Sequence, residues 1–142
     1  MKHDLSNFEN AAEQGAPLEL LDPAGRPLLY EVGTNESGPI EKPVTIWLAG
    51  TTSQRWTKAA DALANKLQDM KETRSVQDIR NDRASILAKM TLRWEGVVVD
   101  GAELPFSEAN AQKLYVRFPF ILEQIDKFLA KKENFLPASQ SA

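Results

Sequence analysis

The chain has 142 residues, of which 42% are hydrophobic, and its 17 Lys and Arg against 20 Asp and Glu give a net charge of −3. This length and apolar content suit one globular domain that buries about two-thirds of its unfolded surface, and they exclude an intrinsically disordered chain. The absence of cysteine excludes disulfide frameworks, thiolate metal sites and cysteine nucleophiles. The only histidine, His3, lies in a polar N-terminus, where a triad base is not expected.

The first 50 residues predict a short helix followed by a small sheet. Leu5, Phe8 and Ala12 recur at helical spacing before Gly15, which predicts an amphipathic helix over residues 5–14. Beyond it, segments of β-prone residues are separated by turn residues, a pattern typical of antiparallel strands. The strands are expected at residues 18–21, 28–32 and 44–48, with a loop at residues 33–39.

Two long helices that form a helical hairpin are predicted next. Ser53 is suited to cap the first, and Ser75 with Asp78 resembles a capping box at the start of the second. Gly96 is placed to end the second helix, and the polar residues 77–83 are expected to form a solvated tip. The predicted inward faces are Trp56, Ala60, Leu63, Leu67 and Met70 on the first helix, and Ile79, Ile86, Met90 and Trp94 on the second.

The C-terminal third predicts a turn and two shorter helices. Asp100 and Gly101 form a turn signal, and Ser107 is suited to cap a helix over residues 108–117. Pro119 fits the first turn of a last helix. The inward face of that helix is expected to carry Ile121, Ile125, Phe128 and Leu129.

The predicted fold class is α+β, with a small three-stranded antiparallel sheet near the N-terminus packed by the long αα-hairpin and the two shorter C-terminal helices. One domain is expected over residues 1–142, with a sheet part at residues 16–50 and a mainly helical part at residues 53–135. Residues 1–4 and 137–142 are expected to be flexible. The chain shows no signal peptide and no apolar run of about 18 residues, so we expect a cytoplasmic protein without a membrane partner.

Few residues in the sequence carry catalytic or ligand-binding chemistry. Asp78 and Asp82 are one helical turn apart and could begin an oxygen-ligand metal site, but neighbouring arginines favour ion pairs instead. Residues 33–38 have the glycine spacing of a phosphate loop, yet Pro39 and Ile40 stand where the lysine and the hydroxyl residue are required. No catalytic residue, metal or cofactor is therefore predicted.

Charge is divided unevenly along the chain. Residues 1–50 carry three Lys and Arg against eight Asp and Glu, a balance of −5, whereas residues 51–142 carry 14 against 12, a balance of +2. The predicted helical hairpin is the basic part, but its interspersed acids and its lack of aromatic residues on the polar face argue against nucleic-acid binding. The acidic sheet end of one copy could instead meet the basic hairpin of another, which predicts a salt-sensitive head-to-tail oligomer.

The last two predicted helices carry more large apolar side chains than one helix face can bury. Core packing accounts for part of this surplus, because isolated exposed apolar residues are normal. The remainder predicts an apolar surface patch suited to an apolar partner segment. The predicted partner-binding residues are Phe118, Phe120, Leu129, Phe135 and Leu136.

A particular order of turns, caps and core positions runs along most of the chain. In the N-terminal half it comprises residues 5–8 and 18–27, and residues 44–50 running into Ser53 and a long helix. In the C-terminal half it comprises residues 94–96, 100–101, 104–111 and 114–115, followed by Pro119, Ile121, Gln124 and Ile125. Over roughly residues 5–135, this order resembles the tail assembly chaperones of long-tailed bacteriophages. The resemblance rests on turns, caps and core positions, so it transfers no catalytic residue.

The resemblance implies a non-enzymatic protein that binds the tape-measure protein, keeps its apolar helices soluble and assists tail tube assembly in the cytoplasm of the bacterial host. The expected partners are the tape-measure protein and the tail tube protein, with no nucleic acid and no membrane. One alternative is a structural tail component of the tube or terminator type that is retained in the virion. A more distant alternative is a small metal-dependent nuclease that uses Asp78 and Asp82.

Overall fold

A computed structural model of the chain describes residues 4–69 and 74–137. The helices are α1 (Leu5–Gln14), α2 (Gln54–Gln68), α3 (Val76–Met90), α4 (Glu108–Arg117) and α5 (Pro119–Ala130), with a 3-10 helix at Lys132–Phe135. The strands are β1 (Ala16–Glu19), β2 (Leu29–Asn35), β3 (Gly38–Pro43), β4 (Thr45–Leu48), β5 (Thr91–Glu95), β6 (Val98–Val99) and β7 (Ala102–Glu103). The predicted α+β class is confirmed. Most of the two ends predicted to be flexible, and Met70 of the predicted inward face, lie outside the described residues.

The caps predicted for three helices are present. The Ser53 hydroxyl accepts a hydrogen bond from the Trp56 N–H at 3.2 Å, and the Ser107 hydroxyl accepts one from the Asn110 N–H at 3.0 Å. Ser75 forms the predicted reciprocal capping box with the residue three positions later. Helices α1 and α4 have the predicted bounds, because their caps and stop signals lie within the local sequence.

The main sheet has three antiparallel strands in the order β1-β4-β5. In the central strand, Ile46 pairs with Leu18 on one side and with Trp94 on the other. The prediction placed residues 28–32 in this sheet, and that assignment is wrong because β5 forms the third strand. The sheet therefore takes one strand from beyond the helical hairpin.

Helix α3 ends at Met90, and the prediction that it continues past Trp94 is also wrong. The four-residue spacing of Ile86, Met90 and Trp94 favours a helix locally. At Thr91 the backbone becomes extended, and the Thr91 hydroxyl donates to the Leu87 carbonyl at 2.8 Å. Pairing with β4 then satisfies the following backbone groups, so a contact distant in sequence overrides the local pattern.

Strands β2 and β3 form a separate hairpin, and most of the predicted loop at residues 33–39 belongs to it. The turn is confined to Glu36 and Ser37, where the Asn35 side chain accepts from the Ser37 N–H at 2.8 Å. Nearly all residues of both strands are exposed or half-buried. The loop prediction failed because an exposed ribbon needs no alternation of apolar residues.

The core joins the main sheet to α4, α5 and the C-terminal half of α3. Tyr115 is fully buried at its centre, and its hydroxyl shares a 2.6 Å hydrogen bond with the Thr91 hydroxyl. Burial raises the pKa of Tyr115 well above its ordinary value, and the hydrogen bond with Thr91 opposes this shift. The phenol therefore stays protonated and acts as a buried polar link between the start of β5 and α4.

Helices α2 and α3 pack antiparallel as the predicted helical hairpin. Arg55 Nη1 donates to the Lys89 carbonyl at 3.0 Å near one end, and Lys66 Nζ lies 3.0 Å from the Asp82 carboxylate nearer the other. The stripe predicted for the inward face of α2 is only partly buried, and Leu67 remains 39% exposed. None of the helices in the described ranges is long and apolar enough to span a membrane.

Asp82 is buried, although the sequence predicted it on a solvated tip. Its two carboxylate oxygens accept from Lys66 and from Arg74, whose side chain is only 17% exposed. Both oxygens that a metal ion would need are therefore engaged by cations. Asp78 is exposed, and its hydrogen bond with the Ser75 backbone lowers the pKa of its carboxyl.

The substitution Asp82→Asn is expected to lower the free energy of unfolding by about 2 kcal/mol, because it removes the negative charge of a buried side chain that accepts from both Lys66 and Arg74. Urea denaturation of the purified variant measures this loss. Asp61→Asn on the exposed face of α2 is the matched control and should change stability by less than about 0.5 kcal/mol. Equal effects of the two substitutions would contradict a structural role for the Asp82 ion pairs.

Candidate functional site

The five predicted partner-binding residues do not form one surface patch. Leu129 and Phe135 are core residues, with 3% and 6% of their surface exposed, so their assignment to a surface patch is corrected. The Phe135 ring meets Phe128 edge to face at a centroid distance of 5.4 Å and covers Gly50. Leu136 is 38% exposed and lines a separate depression of about 420 Å³ beside α1, together with Phe135.

Phe118 and Phe120 line an apolar groove where the junction of α4 and α5 faces β2 and β6. The groove has a volume of about 420 Å³. The two rings meet edge to face with their centroids 6.3 Å apart. The other side chains that define the apolar groove are Leu28, Leu29, Tyr30, Val98, Val99 and Ile121.

A proline sets the backbone that presents the two aromatic rings. Pro119 occupies the first turn of α5, and Phe118 before it has φ −120° and ψ 82°, outside the helical region. The residue before proline is sterically disfavoured in the α conformation, so the chain leaves α4 at Phe118 and begins α5 in a new direction. Phe118 and Phe120 therefore both reach the groove. In one continuous helix, side chains two positions apart would point in different directions.

Gly96 brings the opposite wall of the groove into place. Its φ is +82°, and a Cβ atom at this position would lie 2.2 Å from Cδ1 of the Tyr30 ring. The ring therefore packs on bare backbone at the end of β5. The sequence prediction used Gly96 as a helix stop and missed Tyr30 and Val98 as groove residues. The signal that could have found them is the glycine directly before three valines at residues 97–99.

Carboxylates surround the end of the groove at Tyr30. The Tyr30 hydroxyl donates to Glu95 Oε2 at 3.4 Å, and Glu31 lines the groove itself. Partial burial of the phenol raises the pKa of Tyr30, and the charges of Glu95 and Glu103 raise it further. This end of the groove is therefore electronegative.

An ion pair lies beside Phe118, next to the groove. Arg117 donates to both oxygens of Asp100, at 2.8 and 2.9 Å, and its guanidinium lies 5.0 Å from the centre of the Phe118 ring. The hydrogen bond from Arg117 holds the pKa of the Asp100 carboxyl below its usual range. The two charges offset each other, so the negative potential of the groove is concentrated around Tyr30.

A second cleft, of about 520 Å³, lies between α1 and α2 and is lined by charges of both signs, including Glu9, Glu13, Arg55 and Lys58. Within residues 4–69 and 74–137, no group of three or more His, Asp or Glu side chains is arranged to hold a metal ion. The apolar groove is the better binding site, because its lining leaves apolar surface to be covered.

Comparison with known proteins gives no match: no family model fits the chain, and no curated protein or solved structure is detectably similar to it.

Proposed function

We propose that the chain is a non-enzymatic phage tail assembly chaperone, which binds the tape-measure protein and assists assembly of the tail tube in the bacterial cytoplasm. The observation that carries the proposal is the apolar groove, with Phe118 and Phe120 on one wall and Val98 on the other. The resemblance of residues 5–135 to tail assembly chaperones supplies the identity of the partner.

The groove offers apolar surface that a partner segment can cover. Leu29 and Val98 are 50% and 58% exposed although they lie beside a well-packed core. Covering such side chains gains about 25 cal/mol per Å² of apolar area. A short amphipathic helix fits such a site by inserting side chains from successive turns.

One groove of this size favours modest affinity for any single segment. A tape-measure protein is long and repeatedly apolar, so many copies of the chain could bind along it and together keep it soluble. Modest affinity at each site suits that task, because the bound copies must leave as tube subunits assemble.

Co-expression with the tape-measure protein of the same tail gene cluster tests the proposal. We expect the wild-type chain to raise the soluble yield of the tape-measure protein several-fold. The double variant Phe120→Ser/Val98→Ser should lose most of this effect, because it removes apolar side chains from both walls of the groove. Soluble tape-measure protein is measured by quantitative immunoblot after centrifugation.

The matched control is Ile40→Ser, which removes a 38% exposed isoleucine on β3, outside the lining of the groove and of the depression at Leu136. It should retain the wild-type effect. An unchanged yield with the wild-type chain would refute the chaperone proposal. Detection of the chain at stoichiometric amounts in purified virions would favour the structural tail component instead.

A further inference from the structure

We propose that the apolar groove also binds a second copy of the chain, through the first turns of helix α3. The α3 tip is defined here as Val76, Ile79 and Arg80. Two copies would then be joined by the tip of one and the groove of the other. This inference does not depend on the tape-measure protein, because both surfaces belong to this chain.

The α3 tip is an exposed amphipathic surface in the part of the chain that the structure describes. Val76 and Ile79 are 73% and 58% exposed, among the most exposed large apolar side chains of the described residues. Their spacing of three residues, with Arg80 following Val76 by four, places all three on one side of the helix. The tip therefore presents two aliphatic side chains beside a guanidinium.

The charge of Arg80 is available for a partner. Arg80 is exposed, and no ion pair joins it to another residue in the described part of the chain. The two acids nearest to Arg80 in sequence are engaged elsewhere. Asp78 closes the capping box, and Asp82 is paired with Lys66 and Arg74.

The apolar groove is complementary to the tip both in its apolar lining and in its charge. Its aliphatic and aromatic lining matches the two apolar side chains, and its volume of about 420 Å³ exceeds what they occupy. Glu95 and Glu103 supply negative charge around Tyr30. Strand register places the cation Lys42 opposite Tyr30, so these carboxylates outnumber the cation beside them.

The contact must join different copies, because the tip of each chain remains exposed and outside its own groove. The tip and the groove are separate sets of residues, so the interface is heterologous: each copy can give its tip to one neighbour and its groove to another. An interface of this kind extends into chains of copies or closes into rings. Its ionic part weakens as salt rises, whereas its apolar part does not.

Sedimentation velocity of the purified chain at low and high salt tests the inference. We expect the wild-type chain to associate at low salt in a concentration-dependent way. The tip variant Val76→Ser/Ile79→Ser and the groove variant Phe120→Ser/Val98→Ser should each associate at least about tenfold more weakly. An equimolar mixture of the two variants should form heterodimers, because the groove variant has an intact tip and the tip variant has an intact groove.

The charge pair gives a second, independent measurement. Arg80→Glu should weaken association, and adding Glu95→Arg to the same chain should restore part of this loss, because the exchanged charges then attract each other at every contact. Leu5→Ser serves as the matched control and should associate like the wild type, and circular dichroism should show that every variant is folded.

A wild-type chain that stays monomeric at low salt, or a tip variant that associates like the wild type, would overturn the inference. So would a mixture of tip and groove variants that associates no better than either alone.

Discussion

Leu129→Ser is expected to lower the free energy of unfolding by about 4 kcal/mol, the largest loss among the substitutions considered. Leu129 is only 3% exposed and belongs to the same cluster as Ile125 and Phe135. The substitution opens a cavity and places a hydroxyl in an apolar environment. Since domains of this size are stable by about 5 to 15 kcal/mol, the substitution would remove between about a quarter and four-fifths of the total stability. Urea denaturation and the melting temperature measure the loss.

Phe120→Ser is the comparison that separates the core from the groove. Phe120 is half-buried on the groove wall, so its loss should cost about 1 to 2 kcal/mol and leave the fold intact. The two residues belong to the same helix, α5, and were predicted as members of one patch. Equal destabilisation by the two substitutions would contradict the placement of Leu129 in the core and Phe120 at the groove.

Gly96→Ala is expected to lower the free energy of unfolding by about 2 to 3 kcal/mol and to abolish binding at the apolar groove. The backbone at Gly96 has φ +82°, which a side chain disfavours, and a Cβ would lie 2.2 Å from the Tyr30 ring. The ring must therefore move, and with it the electronegative end of the groove. Calorimetry measures the loss of stability, and the tape-measure solubility assay measures the loss of binding.

Gly101→Ala is a closely matched control, because Gly101 has the same φ of +82° and a Cβ there would meet no atom within 4 Å. It should lower the free energy of unfolding by only about 1 kcal/mol, which is the cost of placing a side chain at positive φ. Groove binding should be unchanged. The difference between the two variants then isolates the contact with Tyr30. If both variants lost the same stability and kept groove binding, Gly96 would have no special part in the site.

The sequence predicted those parts of the fold that are encoded locally. Ser53, Ser75 and Ser107 cap the helices they were expected to cap, because a cap depends on residues three positions away. The third strand of the sheet was missed because Thr91–Glu95 continues the apolar spacing of α3 and becomes a strand only by pairing with β4. That pairing joins residues more than 40 positions apart, which no local window contains.

The groove was predictable on one wall and not on the other. Phe118 and Phe120 stood out as surplus aromatics around a helix-starting proline, and the structure places both on the groove. Leu129 was predicted both on the inward face of α5 and in the partner-binding patch, and its burial supports the first assignment alone. Phe135 lies beyond α5 in the 3-10 helix, and no local pattern indicates that its ring packs back on Phe128. Tyr30 and Val98 reach the groove from distant segments, so their contribution depends on the tertiary fold.

The exposed β2–β3 hairpin has a consequence for the behaviour of the chain at high concentration. A two-stranded ribbon has two open edges, and open edges can pair with strands of other molecules and cause aggregation. Strand β3 carries Pro39 and Pro43, which have no N–H to donate to an added strand. Glu31 and Glu41 also face each other across the ribbon, so stacked ribbons would bring like charges together. The hairpin can therefore extend into solvent at high protein concentration, because its β3 edge and its facing glutamates both disfavour the addition of another strand.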